Sequence, residues 1–455
     1  MIRRRRAVAA ALAVCIVALV APTITPAQAA TPASATTPIK HFLFLMQGDR
    51  TFDNYFGTYP GADGLPATCQ AQAPSKGATC VKPFALNGTS VPPLGATASV
   101  IKKQYNGGKM DGFVSALQAV GRDGTKAMGY YDQRDLPAYW QAASQYVLFD
   151  KFFSSSLDGV RANRAYWVSG DNAVTTDVQQ PLTIFDRLQA AGVSWKFYVQ
   201  NLDTKSSPGS QSTSSTLSVS VPLLNYARYV GDPALRAHIV DLNQYYRDLQ
   251  AGTLPSVAYI ASSSASERSA RSMVTGQNLV VSLTEQLMLS QYWKDSAFLW
   301  SYDGSGGFYD HVVPPKVDAN GYGLRVPALL VSPYARQGLV DHTVLDYTSA
   351  LAFIERNWKL APLATRDRKS AGLASAFDFT AGPRPPALLA TAAVPEPLGH
   401  VGSTRIVFWS YGAAMAIALL VVSFAFVRAR IRTRGGHQAA AAARADLVKI
   451  GADSP

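Results

Sequence analysis

A chain of 455 residues that is 48% apolar and 10% aromatic can bury a large core, which excludes a disordered or fibrous protein. Its net charge of +12 does not make it a nucleic-acid binder. Arg3, Arg4, Arg5 and Arg6 carry four of those charges, and the tail after Val427, with six basic against two acidic residues, carries four more; about +4 remains for the long middle.

The opening arginines, the apolar run 7–21 and the small residues Ala27-Gln28-Ala29 have the layout of an export signal, with the mature chain beginning near Ala30. The general and twin-arginine routes are both open. Of three cysteines, Cys15 leaves with the signal. Cys69 and Cys80 then face an oxidising compartment, where one disulfide across a short loop is the simplest pairing. No His or acid between them supports a metal site instead.

Residues 39–46 read as a buried strand that empties into the polar turn Gln47-Gly48-Asp49-Arg50 and a short helix. Residues 58–108 are loop-rich, a lid or insertion. Helices start near Val114 and at Leu136, the second continuing to Tyr146, and a strand spans 147–153. That strand leads into Ser154-Ser155-Ser156-Leu157-Asp158-Gly159-Val160-Arg161-Ala162-Asn163-Arg164. A helix over 184–191 and a strand over 194–199 set a βαβ rhythm, which requires a parallel sheet. Polar residues 201–220 form a surface loop, followed by a strand at 254–261 and a helix at 276–292.

An apolar run ending Phe298-Leu299-Trp300 then opens into Ser301-Tyr302-Asp303-Gly304-Ser305-Gly306-Gly307-Phe308-Tyr309-Asp310-His311. A buried strand that breaks into glycines and presents Asp, Asp and His is how an α/β sheet delivers charged groups to its C-terminal edge. A strand over 326–332 and a helix over 349–358 close the domain. The fold class is α/β: a doubly wound, mostly parallel sheet with helices on both faces.

Pro/Ala-rich residues 383–405 form a stalk. The apolar run 406–427, 22 residues long, can cross a bilayer as one C-terminal transmembrane helix. Arg428, Arg430, Arg432 and Arg434 hold the tail 428–455 in the cytoplasm. The expected organisation is an export signal at 1–29, an extracellular domain at 30–382, the stalk, the membrane helix and a basic tail, placing the protein at the cell membrane with its main domain outside.

Met46-Gln47-Gly48-Asp49-Arg50-Thr51-Phe52-Asp53-Asn54-Tyr55-Phe56-Gly57 resembles the signature of the bacterial phosphoesterase family of non-haemolytic phospholipases C and acid phosphatases, which reads Met-Gln-Glu-Asn-Arg-Ser-Phe-Asp there. Segments 106–113, 150–164 and 302–315, Arg325-Val326-Pro327 and Ser332-Pro333-Tyr334-Ala335-Arg336 resemble it too, in the same order. The resemblance implies an alkaline-phosphatase-like core and hydrolysis of phosphate esters, phospholipid head groups among them. It also implies one divalent metal, a Ser or Thr nucleophile three residues before Asn163, and surrounding histidines.

Residue by residue, this chain departs from that pattern. The Glu-Asn pair is Gly48-Asp49, the nucleophile position is Val160, and the acidic pair is Asp303-Gly304. A Glu-His pair is Glu267-Arg268, an Asp-His pair is Asp346-Tyr347, and no His lies between His41 and His238. The residual candidates are Asp49, Arg50, Asp53, Asn163, Arg164, Asp303, Asp310 and His311. Asp49 and Asp303 read either as metal ligands or as partners of Arg50, Arg161 or Arg164. Asp310 and His311 read as site residues or as a structural tie. Ser154, Ser155 and Ser156 read as turn residues or a displaced nucleophile, and His342 is a further candidate.

Two functions follow. One is a membrane-anchored phosphoesterase whose catalysis is lost or impaired. The other is a non-catalytic relative binding an anionic ligand or a protein partner, since arginines bind phosphate without a metal.

Overall fold

A computed structural model of the chain describes residues 33–72, 79–86, 88, 91–172, 180–202, 215–268 and 273–389. Two compact units divide the chain, Met1–Ala392 and Ala393–Pro455, and every described residue lies in the first. The export signal, the stalk beyond residue 389, the apolar segment 406–427 and the tail lie outside the described residues. Among the described residues, no helix is long and apolar enough to cross a membrane.

Eight strands form one sheet: β1 (His41–Gln47), β2 (Val147–Phe149), β3 (Trp195–Val199), β4 (Ile239–Asp241), β5 (Val257–Ala261), β6 (Ser296–Tyr302), β7 (Ala328–Val331) and β8 (Leu339–Asp341). Their order is β8-β2-β7-β6-β1-β5-β3-β4. From β6 through β1, β5 and β3 to β4 all pairings are parallel, and β8 is parallel to β2. Only β7 runs against its neighbours. The central strands explain themselves: β5 and β6 are buried at every residue and β1 at every residue after His41. Continuous burial means that both sheet faces are covered, as unbroken apolar runs require. Trp167, from the helix after β2, stacks on Tyr259 of β5 with ring centroids 4.8 Å apart, so aromatic rings fill one face.

Register places the site. β1 pairs with β6 from His41↔Ser296 to Gln47↔Tyr302, so both strands end at the same level. The pairing then runs on past the strand ends: Asp303 N donates to Gln47 O at 3.1 Å and Arg50 N to Gly304 O at 2.9 Å. Asp49 and Asp303 therefore emerge side by side at the C-terminal edge.

Several local expectations differ from what forms. The strand expected over 147–153 is broken at Asp150-Lys151; Phe152–Phe153 leaves the sheet and pairs with Leu345–Asp346. The buried Asp150 carboxylate causes the break, accepting from Asp63 N and pairing with the His342 ring at 2.8 Å. The loop-rich stretch 58–108 contains a helix, Ala98–Tyr105, capped by the Thr97 hydroxyl, and the polar loop 201–220 ends in a helix at Ser215–Ser220. Edge strands β4 and β8, three residues each, are too short for alternation to reveal. Cys69 and Cys80 form the expected disulfide, with Cα atoms 5.5 Å apart.

Candidate functional site

The turn after β1 leads into α1 (Phe52–Phe56), capped by Thr51, whose hydroxyl accepts from Asn54 N. Asp49 in that turn has φ +62, a left-handed conformation, and packs directly against Gly306, also at +62. A Cβ on Gly306 would lie 2.6 Å from Asp49 Cβ, so only glycine permits this approach. The second arm is α2 (Val160–Ser169), introduced by Gly159 at φ 87. Its Asn163 binds both arms: Asn163 Nδ2 donates to Asp303 O at 3.0 Å, and Asn163 Oδ1 accepts from Ser156 N at 2.8 Å.

These elements surround a cavity of about 840 Å³. Among the described residues, its charged lining is Asp49, Asp303, Arg161, Arg164 and Arg268, with Val160 beside them. A smaller cavity of about 290 Å³ shares Asp49, Val160 and Arg161 and reaches Asn163 and Gly304.

Arginines hold the two acids. Arg268 Nη1 lies 2.9 Å from Asp49 Oδ1, and Arg268 Nη2 donates to Asp303 Oδ1. Arg164 Nε donates to Asp303 Oδ2 at 2.7 Å, and its Nη1 to Ser220 O at 2.9 Å. Asp303 is fully buried, whereas the Asp49 side chain keeps 17% of its surface open. Burial pushes Asp49 up to about 6, against the pull of Arg268 and with the help of Asp303. Arg161 makes no ion pair or hydrogen bond among the described residues and stands exposed on the cavity wall. Arg50 turns away: its Nε donates to Tyr55 Oη at 2.8 Å and its guanidinium lies over the Phe308 ring.

The positions that depart from the family pattern are occupied in three different ways. A Cβ on Gly48 would meet Ser266 Oγ at 2.8 Å and Arg268 Cβ at 2.9 Å, so Arg268 fills the room a Glu would need. A Cβ on Gly304 would meet nothing nearer than Asn163 Nδ2 at 3.8 Å, so that room stays open. Tyr347 donates its hydroxyl to Tyr302 O, securing the end of β6. The hydroxyls of 154–156 are all engaged as donors. Ser154 donates to Leu324 O, Ser155 to Asp346 Oδ2 and Ser156 to Asp158 Oδ2.

The metal implied by the resemblance does not fit Asp49 and Asp303 as they stand. Two neighbouring positions supply no side chain, and guanidinium groups already neutralise both carboxylates. Among the described residues, the group that could offer metal ligands is Asp53, Asp310 and His311, whose ligand atoms lie within 4.8 Å of one another. Here too an arginine is already in place. Arg325, fully buried, donates to Asp53 Oδ1 at 2.9 Å, Asp310 Oδ1 at 2.8 Å and Asp150 O at 2.9 Å. Asp53 Oδ2 accepts from both the backbone N and the ring Nδ1 of His311, and Asp310 Oδ2 accepts from Asp53 N. Burial lowers the His311 pKa, but Asp53 and Asp310 raise it more, so it is held above its ordinary value. This group ties α1 to the glycine turn.

Asp49, Arg50, Asn163, Arg164 and Asp303 thus gather at the strand ends, while Asp310 and His311 belong to the separate Arg325 tie. His41 lies at the opposite sheet edge, bonded to Pro255 O at 2.9 Å. Sequence reasoning named Arg268 as an anion-holding arginine at a histidine position but missed its bridge to Asp49 and Asp303, and it missed the role of Arg325. It also missed the enclosure of Glu267, whose carboxylate accepts from Tyr139 at 2.6 Å, Tyr302 at 3.1 Å and Tyr55. Burial raises the Glu267 pKa against Arg50 and these hydroxyls. Arg268 beside Glu267 was the available signal, a charge standing where the family pattern has a histidine.

A mostly parallel sheet with its charged residues and cavity beyond the ends of the central strands defines an open-sheet α/β protein. The chain belongs to the Phosphoesterase family, which it matches over residues 39–361. It is 30% identical over 417 residues to Phospholipase C A of Mycobacterium tuberculosis, covering 76% of this chain and 78% of the relative. Phospholipase C B of the same organism is 28% identical over 452 residues, covering 84% and 85%. A solved protein of the alkaline phosphatase superfamily from Vibrio parahaemolyticus matches 76% of each chain at 13% identity and TM-score 0.33, too slight a likeness to carry weight.

Proposed function

We propose that this chain is an exported, membrane-tethered member of the Phosphoesterase family that binds a phosphate ester in the strand-edge cavity and no longer hydrolyses it by the family's route. The observation that carries this reading is the bridge from Arg268 to both Asp49 and Asp303. A guanidinium supplies positive charge where a divalent ion would otherwise be needed, and it can hold an oxyanion. It cannot lower the pKa of a bound nucleophile as a metal does, and Val160 offers none. The tether rests on the export-signal layout and on the apolar run 406–427 with its following arginines. The doubly wound, alkaline-phosphatase-like core rests on the family.

A second reading, hydrolysis of a phospholipid head group, is favoured by the relatives' name, phospholipase C, and by the retained Asp303 and Asn163. One experiment separates the two. The purified full-length chain is assayed on a chromogenic phosphodiester and phosphomonoester with added divalent metals, beside Asp303→Ala. The expected result is no turnover and no bound metal by elemental analysis. Turnover abolished by Asp303→Ala would sink the non-hydrolytic reading.

A further inference from the structure

We infer that Glu267, which does not itself line the cavity, is a positioning residue: its buried carboxylate holds Asp49, Arg268 and Asp303 in the arrangement that receives the anion. The inference rests on the proposed binding reading and adds how that site keeps its shape. Three segments show the same alternation. Arg50, Glu267 and Tyr302 join one buried hydrogen-bonded network, and the chain neighbour of each, Asp49, Arg268 and Asp303, lines the cavity. The network lies under the cavity charges and is closed to solvent, with Glu267 1% and Arg50 4% exposed.

The Glu267 carboxylate is the node. Its Oε2 accepts from the Tyr55 hydroxyl, which accepts in turn from Arg50 Nε at 2.8 Å, and Arg50 Nη1 donates to Asp49 O at 2.6 Å. Its Oε1 accepts from the Tyr139 hydroxyl at 2.6 Å and the Tyr302 hydroxyl at 3.1 Å. Asp303 is therefore held through the backbone of Tyr302, and Arg268 through the peptide that follows Glu267. Asp49 stands at φ +62, which a residue with a side chain keeps only where its surroundings impose it, and the Arg50 bond to its carbonyl is one such restraint.

Shape and charge both single out the acid. The helix Met273–Met288 leaves room for it at Gly276, where a Cβ would lie 2.2 Å from Glu267 Cγ and 2.7 Å from Oε1. Arg50 is buried, and Glu267, across the Tyr55 hydroxyl, is the carboxylate of its network. A neutral amide at 267 would leave the Tyr55 proton without its acceptor and the Arg50 guanidinium without its counter-charge, and a buried network that loses one member loses its fixed geometry. The disturbance then passes along Arg50 to Asp49, and the cavity charges lose their spacing.

The test reads affinity and melting separately, because a merely structural role would lower the melting temperature and leave the affinity of the folded chain alone. Phenyl phosphate is titrated calorimetrically, well below the melting transition, into the full-length parent, Glu267→Gln and Tyr302→Phe. The control is Tyr245→Phe, which removes a buried hydroxyl that donates to Leu283 O outside the network. Glu267→Gln should bind about tenfold more weakly and Tyr302→Phe about threefold, whereas Tyr245→Phe should melt lower than the parent and keep its affinity. Should Glu267→Gln fail to fold, Tyr302→Phe carries the test, since it keeps the acid and gives up one hydrogen bond. Parental affinity in the Glu267 and Tyr302 variants, or an equal loss in the control, overturns the inference and leaves the binding reading standing. A parent that does not bind phenyl phosphate overturns both.

Discussion

Two acid–arginine clusters sit a few residues apart at the same sheet edge, and the same two segments build both. The segment after β1 gives Asp49, in the turn, to one and Asp53, in α1, to the other, and the glycine turn after β6 gives Asp303 and Asp310 in the same way. What differs is the arginine. Arg325 is sealed, its guanidinium fully buried 4.7 Å above the Phe52 ring and its donors directed at Asp53, Asp310, Asp150 O and Asp63 O. Arg268 keeps 36% of its side chain exposed and looks into a cavity. Identical chemistry is thus a sealed structural tie in one place and, on the proposed reading, a ligand site in the other, and solvent access distinguishes the two.

The sharpest way to break that contrast is to remove each arginine. Arg325→Met strands Asp53 and Asp310 together in the core, and the chain should lose about 3–5 kcal/mol of stability, read as a large drop in denaturation midpoint. Arg268→Met should cost about 1 kcal/mol or less, because Asp303 retains Arg164 and Asp49 reaches water. Equal losses from the two would erase the distinction.

A smaller effect tests whether Arg268 fills the room that a side chain at position 48 would need. Gly48→Glu must push against Ser266 Oγ and Arg268 Cβ and should destabilise the chain by about 1–3 kcal/mol, with Arg268→Gly, which removes that Cβ, relieving part of the loss. Gly304→Ala, with 3.8 Å to its nearest neighbour, should be nearly neutral in the same melting assay.

The finest test is pH. Burial lifts Asp49 and Asp310 alike to about 6, opposed by Arg268 in the first case and Arg325 in the second. The folded value lies above the ordinary 3.8, so ionising Asp49 costs stability: the cost is absent below 3.8 and complete above about 6. Asp49→Asn resembles the protonated acid and suits a left-handed position. Its stability relative to the parent should therefore rise with pH across that window and level off above it. Asp310→Asn should destabilise at every pH, since Asp310 accepts from Arg325, Val312 N and Asp53 N together. Parallel curves for parent and Asp49→Asn would contradict the assignment.

Much of this was legible beforehand, for physical reasons. Asp49 and Asp303 follow continuous apolar strands, and neighbouring parallel strands must end near each other, so their meeting could be expected. Val160, Gly48 and Gly304 could be read as absences by counting along the motifs. The partnerships could not. Arg325 comes from a segment with its own strand signal, and only the fold brings it between Asp53 and Asp310. The path of the Arg268 side chain over Gly48 depends on packing that neither periodicity nor spacing encodes. Asp150 was hidden inside an apolar run that read as one strand.

The two backbone rungs beyond the ends of β1 and β6, Asp303 N to Gln47 O and Arg50 N to Gly304 O, are made by atoms that every sequence supplies. Side chains at 48, 160, 268 and 304 can therefore be exchanged while the mould that spaces them persists. Lineages built on such a mould can exchange chemistry through a handful of substitutions, so the non-hydrolytic site proposed for this chain would be a reversible state of the scaffold rather than its decay.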